Sequence, residues 1–327
     1  MNISPSSRLH YGLQAALMFA LALYIGSLVK TNALHYYLAP RMEKWMLLCP
    51  ILLGLMAVFT AYRAIAPDDD PVCGCSHEVP KSLFKRMTIY VLFLLPVAFG
   101  ALMPNRALGS AAASTKGFSL TSPLQEEHVS KEKAALRPAA EEAPQEAGSG
   151  AGSGAGAGSS NQAVRPAKVF TAPDEYNEEF AWLATLLYAK PIINVTPDIY
   201  SETIGAIELY KEDFIGKSIS LTGFVYKDTA LEQPAGEFAV GRFLVLCCTA
   251  DALPFGVLVK SPQNAVSFNK DTWVKVTGKI NVETVGGQQV LKIDAAQINA
   301  TAQPSVPYVY PNADSVAAFE QDQNGNK

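Results

Sequence analysis

Within its first 106 residues this chain carries three apolar stretches long enough to cross a lipid bilayer, which needs roughly 17 to 25 mostly apolar residues. They run over residues 10–29, 45–62 and 87–105, and basic side chains flank each of them: Arg8 and Lys30, Lys44 and Arg63, Arg86 and Arg106. Pro96 lies in the middle of the third stretch, where it frees a backbone carbonyl that a neighbour must satisfy. The first stretch could be read as a secretory signal, but its apolar run is too long and no A-x-A-like site follows closely. The two later stretches keep the chain in the membrane under either reading, so a multi-pass anchored protein is expected.

Charge divides at the same boundary. Residues 1–106 hold nine basic and five acidic side chains, a net of +4, and the rest of the chain has a net of −8. Hydrophobic residues make up 49% of the whole and charged residues only 17%, below the quarter or so usual in soluble proteins. This excludes a single soluble enzyme domain, a disulfide framework and a nucleic-acid binder that relies on bulk positive charge. For orientation, Arg8, Arg63, Lys81, Lys85 and Arg86 lie on one side, against Lys30, Arg41, Lys44 and Arg106 on the other. That imbalance favours an N-terminus inside and an extracytoplasmic C-terminal domain.

Residues 107–168 turn to Ala, Gly, Ser, Glu, Pro and Gln, and 147–160 contain only Ala, Gly and Ser. Such a segment buries too little apolar surface to offset its ordering entropy, and a flexible linker of roughly 40 to 45 Å root-mean-square span is expected. A soluble domain over residues 169–300 and a tail over 301–327 follow. Two short helices are expected first, one beginning at Asp174 with Phe180, Leu183, Leu187 and Tyr188 on one face, the other capped by Thr196-Pro197. From Lys217 onward the period is two, with runs at 219–225, 238–248, 255–259, 273–282 and 289–298. Five strands with little helix between them point to a small OB-like barrel, with a sandwich as the alternative. Residues 213–299 carry eight basic and eight acidic side chains, so the basic groove of a nucleic-acid binder is missing.

Three places carry chemistry. Cys73-Gly74-Cys75-Ser76-His77 lies between the second and third stretches, and alternate side chains of an extended segment point the same way. Two thiolates and an imidazole suit a zinc or copper ion, although ordinary small loop residues explain the sequence equally well. Cys247, Cys248 and Asp251 follow a strand that also carries Arg242. On a strand one cysteine would face inward and the other outward, as packed thiols or as a redox-sensitive or metal-touching pair, and an Arg242–Asp251 ion pair would account for both charges. His35, followed by Tyr36-Tyr37 in the loop after the first stretch, suits an interfacial aromatic belt or a transport path. No nucleophile elbow or phosphate loop is found and the chain has four histidines, so a non-enzymatic role is expected.

The runs Gly216–Tyr226, Arg242–Ala252 and Trp273–Gly278, together with the N-terminal apolar block, resemble the YcgQ-like family of permease subunits. The resemblance covers the apolar block and roughly residues 190–300, and leaves out the linker. It implies a subunit beside a larger multi-span membrane permease, and it supplies no catalytic residues. Three functions remain open: an accessory subunit of a two-component permease, with transition-metal ions as the solute suggested by Cys73, Cys75 and His77; an envelope-anchored adaptor whose barrel binds a ligand or protein; and a thiol redox protein acting through Cys247 and Cys248.

Overall fold

The computed structural model describes residues 5–65, 83–103, 105–124, 168–227, 236–262 and 268–325. They form two units, Met1–Ala107 with Val245–Ala252, and Leu108–Leu244 with Leu253–Lys327.

The first unit contains helices α1 (Pro5–Lys30), α2 (Pro40–Met46), α3 (Leu48–Ile65) and α4 (Leu83–Leu102), with a 3-10 turn at Leu34–Tyr36. Helix α1 ends in a Schellman motif. Asn32 takes the left-handed conformation (φ 52°), while Ala33 N–H donates to Leu28 and Asn32 N–H to Val29, as the motif requires. α1 packs mainly on α3 and less on α4. Ala15, Ala22 and Ala57 are buried while Leu23, Leu55, Val58 and Phe59 stand exposed, the inside-out distribution of helices made for an apolar solvent. Two helical segments, Arg8–Lys30 and Pro40–Ile65, are long and apolar enough to cross a membrane. The third expected crossing falls on α4, whose apolar portion among the described residues is Tyr90–Leu102.

The second unit is built on six strands: β1 (Ile192–Asn194), β2 (Ser218–Tyr226), β3 (Glu237–Leu244), β4 (Leu253–Lys260), β5 (Trp273–Val285) and β6 (Gln288–Ala300). Their order is β1-β2-β3-β4-β6-β5, and β5 pairs back onto β2. The last five strands therefore form a closed hydrogen-bonded circuit. β4 and β6 run parallel and the other pairs of the circuit antiparallel. Gly286 and Gly287, at φ 59° and 84°, form the two-residue turn between β5 and β6, where a type I′ hairpin needs positive φ at both positions.

Helices α5 (Ser110–Lys116), α6 (Glu178–Tyr188), α7 (Tyr200–Leu209), α8 (Lys211–Phe214) and α9 (Ser315–Gly325) complete the second unit. Phe180, Leu183 and Leu187 of α6 and Ile204 and Ile207 of α7 join Val225, Val240, Val257 and Val276 in one core. Asp174 does cap its helical segment, accepting from Asn177 N–H at 2.9 Å. Thr196 makes no side-chain cap; a 3-10 turn at Pro197–Ile199 leads into α7 instead. Buried Lys292 lies between Glu237, at 2.7 Å, and Glu283.

Both ends of the expected soluble domain extend further than the sequence suggests. Residues 108–124, which begin the expected linker, carry α5 and then run beside β4: Ser119 N–H donates to Pro254 and Gly256 N–H to Ser119. Phe118 stacks on Tyr226 with ring centroids 4.5 Å apart. The rest of that linker, residues 125–167, lies outside the described residues. Within the expected tail, Val309 pairs with Leu244 and Tyr308 is buried. Glu179 caps α9 by accepting from Ser315 N–H at 2.6 Å and Ser315 Oγ–H at 2.7 Å.

Gly241 lies where these layers close. A Cβ there would run into the Phe255 carbonyl and the Phe118 ring. Gly241→Ala should therefore destabilise the second unit by about 1–3 kcal/mol, read as a lower denaturation midpoint, and an unchanged midpoint would show that the strands can spread. A second prediction concerns Glu202, which is buried and accepts from Asn312 N–H at 2.8 Å and Ser201 Oγ–H at 2.9 Å. Burial lifts its carboxyl to about 7 against these bonds, with nearby Glu179 adding to the rise. A folded-state value above the unfolded one stabilises the fold at low pH, and that contribution is lost as pH rises through about 7. Thermal unfolding of wild type should fall more steeply than that of Glu202→Gln between about pH 5 and about pH 8, and parallel curves would contradict this.

Candidate functional site

Cys247, Cys248 and Asp251 lie on the connection from β3 to β4. Strand β3 stops at Leu244, so the alternation that would send the two thiols to opposite faces ends before it reaches them. A tight turn takes over, with Asp251 N–H donating to the Cys248 carbonyl at 3.1 Å. The Asp251 carboxylate then folds back over the turn, accepting from Leu246 N–H at 3.0 Å, Cys247 N–H at 2.8 Å and Cys248 N–H at 3.3 Å. This local cap brings the two sulfurs to the same side, 3.7 Å apart.

The segment is held by the loop that follows α1. Ala39 N–H donates to the Cys247 carbonyl at 3.0 Å and Thr249 N–H to the Tyr37 carbonyl at 2.9 Å. Leu38 and Cys248 form a β-bridge. Tyr37 also donates its hydroxyl to Asn105 Oδ1 at 2.6 Å.

The electrostatics follow from these bonds. Burial raises the Asp251 carboxyl, but the Cys247 thiol and the three backbone N–H groups outweigh it and leave it below the ordinary range. The bond to Asp251, helped by Cys248, pushes the Cys247 thiol up to about 11. A thiol so held is a poor nucleophile near neutral pH. Two sulfurs and one carboxylate, all within 4.8 Å of one another and all half-buried, offer a metal ion two soft donors and one oxygen.

The other expected residues have different surroundings. Arg242 has other partners among the described residues. It is buried, donates from Nη2 to the Val306 carbonyl at 3.1 Å, and lies over the Trp273 and Tyr200 rings at 5.3 and 5.9 Å. Burial lowers its pKa, while Tyr200 and Tyr310 act in the opposite direction. Among the described residues Arg242 is held by backbone and ring contacts and Asp251 by the backbone N–H groups of its own turn. His35 sits in the 3-10 turn against Tyr36, ring centroids 4.2 Å apart, with both ring nitrogens buried and unpartnered among the described residues. Cys73, Cys75 and His77 lie outside the described residues. Sequence reasoning missed that Leu34–Ala39 and the turn at Cys247–Asp251 meet, a pairing across some two hundred positions with no short-range signal. It also missed Glu202, whose trace in the sequence was a carboxylate inside the apolar pattern of α7.

The chain matches the DUF1980 N-terminal domain over residues 13–119 and the DUF1980 C-terminal domain over residues 170–311. It is 27% identical over 287 residues to the UPF0703 protein YcgQ of Bacillus subtilis (strain 168), covering 82% of this chain and 89% of that one. It is 25% identical over 223 residues to a protein of Streptococcus mutans serotype c named "Putative two-component membrane permease complex subunit", covering 67% and 72%. No solved structure matches the chain. The chain therefore carries the DUF1980 N-terminal and C-terminal domains in order, and its relatives align along most of its length.

Proposed function

We propose that this chain is a non-enzymatic accessory subunit of a two-component membrane permease, working beside a multi-span partner. The observation that carries the reading is the outward face of the N-terminal helices. Leu23 of α1 and Leu55, Val58 and Phe59 of α3 are all exposed, and side chains of this kind need lipid or another apolar helix against them. Among the described residues two helical segments have spanning length, and even with α4 as a third crossing they are too few to enclose a solute path, so transport requires further spans from elsewhere. The name of the Streptococcus mutans relative supports the same reading.

Within this proposal the α4 helix is a third crossing, the protein is multi-pass, and the basic residues around Arg63 and Arg86 keep their loop inside, which puts the C-terminal domain outside the cell membrane. The closed circuit β2-β3-β4-β6-β5, with its parallel β4–β6 pair, is an OB-like barrel that docks on the partner. Cys73, Cys75 and His77 make zinc or copper the solute of choice by ligand softness. A redox role for Cys247 and Cys248 is the weaker reading, because the thiol of Cys247 is held protonated.

The test is native purification of the full chain from cell membranes in mild detergent. One multi-span membrane protein should co-purify in fixed ratio, whereas a chain recovered alone as a homogeneous species would overturn the proposal.

A further inference from the structure

We propose that Cys247, Cys248 and Asp251 form a binding site for a thiophilic divalent metal ion of the zinc class, separate from the Cys73, Cys75 and His77 loop. Zinc–thiolate bonds are about 2.3 Å, and two such bonds at the tetrahedral angle put their sulfurs about 3.8 Å apart. The observed separation of Cys247 and Cys248 is 3.7 Å. A linear two-coordinate site would need the sulfurs at about twice the bond length, roughly 4.6 Å, so the pair is set for a tetrahedral ion rather than a linear one.

Adjacent cysteines do not reach this arrangement on a regular strand, where they diverge. They reach it because the Asp251 carboxylate binds the backbone N–H of both and so turns both residues to one side. Asp251 can serve the ion twice, by fixing the turn and by offering a carboxylate oxygen within 4.8 Å of both sulfurs. Two sulfurs and one oxygen leave a fourth position for water or a donor from another molecule. An open fourth position sets the site apart from purely structural zinc, which is enclosed by four protein ligands, and leaves the ion accessible to an incoming donor. The donor set also excludes magnesium and calcium, which require oxygen ligands. On binding, the metal cation displaces the proton of each thiol to solvent, including the one that Cys247 shares with Asp251, and the sulfur lone pair forms the bond to the metal; no electron transfer is involved.

The experiment uses the reduced full chain in detergent, in a Cys73→Ser, Cys75→Ser, His77→Ala background, with cobalt(II) as the probe and zinc(II) as competitor. The background protein should bind one equivalent of cobalt with a near-ultraviolet thiolate-to-cobalt band that zinc abolishes. Adding Cys247→Ser and Cys248→Ser should remove the band, and Asp251→Asn should weaken cobalt binding by about tenfold or more. Circular dichroism establishes that each variant is folded. Equal cobalt binding with and without the two thiols, no thiolate band in the background protein, or binding unaffected by Asp251→Asn would each overturn the assignment as stated. Co-purification of a partner is a separate measurement, so this site stands or falls independently of the permease reading.

Discussion

The pairing of β2 with β5 is the constraint on which the C-terminal unit depends. Seven residues of β2, Ser218 to Phe224, pair with Lys279 down to Trp273, and this returns the strand order to its starting point. On its other edge β2 divides its partners. Ser218–Ser220 run parallel to β1, and Phe224–Tyr226 run antiparallel to β3. Strands can be brought so close at that exchange because Gly223, Gly241 and Gly256 leave no side chain between neighbouring backbones. With the circuit closed, the apolar faces of β2 to β6 and the stripes of α6 and α7 share one core.

A closed circuit removes exposed sheet edges, but the connections between its strands remain free to specialise. The one between β3 and β4 has done so. Val245–Ala252 groups with the N-terminal helices although the strands on either side of it belong to the second unit. A carboxylate cap, two thiols and backbone bonds to the loop after α1 are concentrated in those eight residues. Loops on rigid scaffolds commonly carry function.

Regular patterns were legible in the sequence. The period-two runs gave five strands close to their observed positions, and the long apolar runs gave α1 and α3, because burial against a sheet core or a bilayer imposes a repeat on every residue involved. What was not legible rests on single long-range contacts. The strand at 238–248 was read too long because Val245, Leu246 and the cysteines continue its apolar character, and only the Asp251 cap ends it. Residues 108–124 looked like linker because Ala and Ser dominate α5; Phe118 alone, stacked on Tyr226, signals that they pack. The closing pair β2–β5 joins positions from Phe224 with Trp273 to Ser218 with Lys279, about fifty to sixty residues apart, and no local spacing announces it.

Photo-crosslinking in intact membranes tests most directly the proposal that the N-terminal helices are one part of a larger transmembrane assembly. A photoreactive residue at Leu55 or Phe59, both exposed on α3, should capture one other membrane protein. The same probe at Ala57, buried on the same helix, should give at most links within the chain. Adducts to lipid alone from Leu55 and Phe59 would contradict the account.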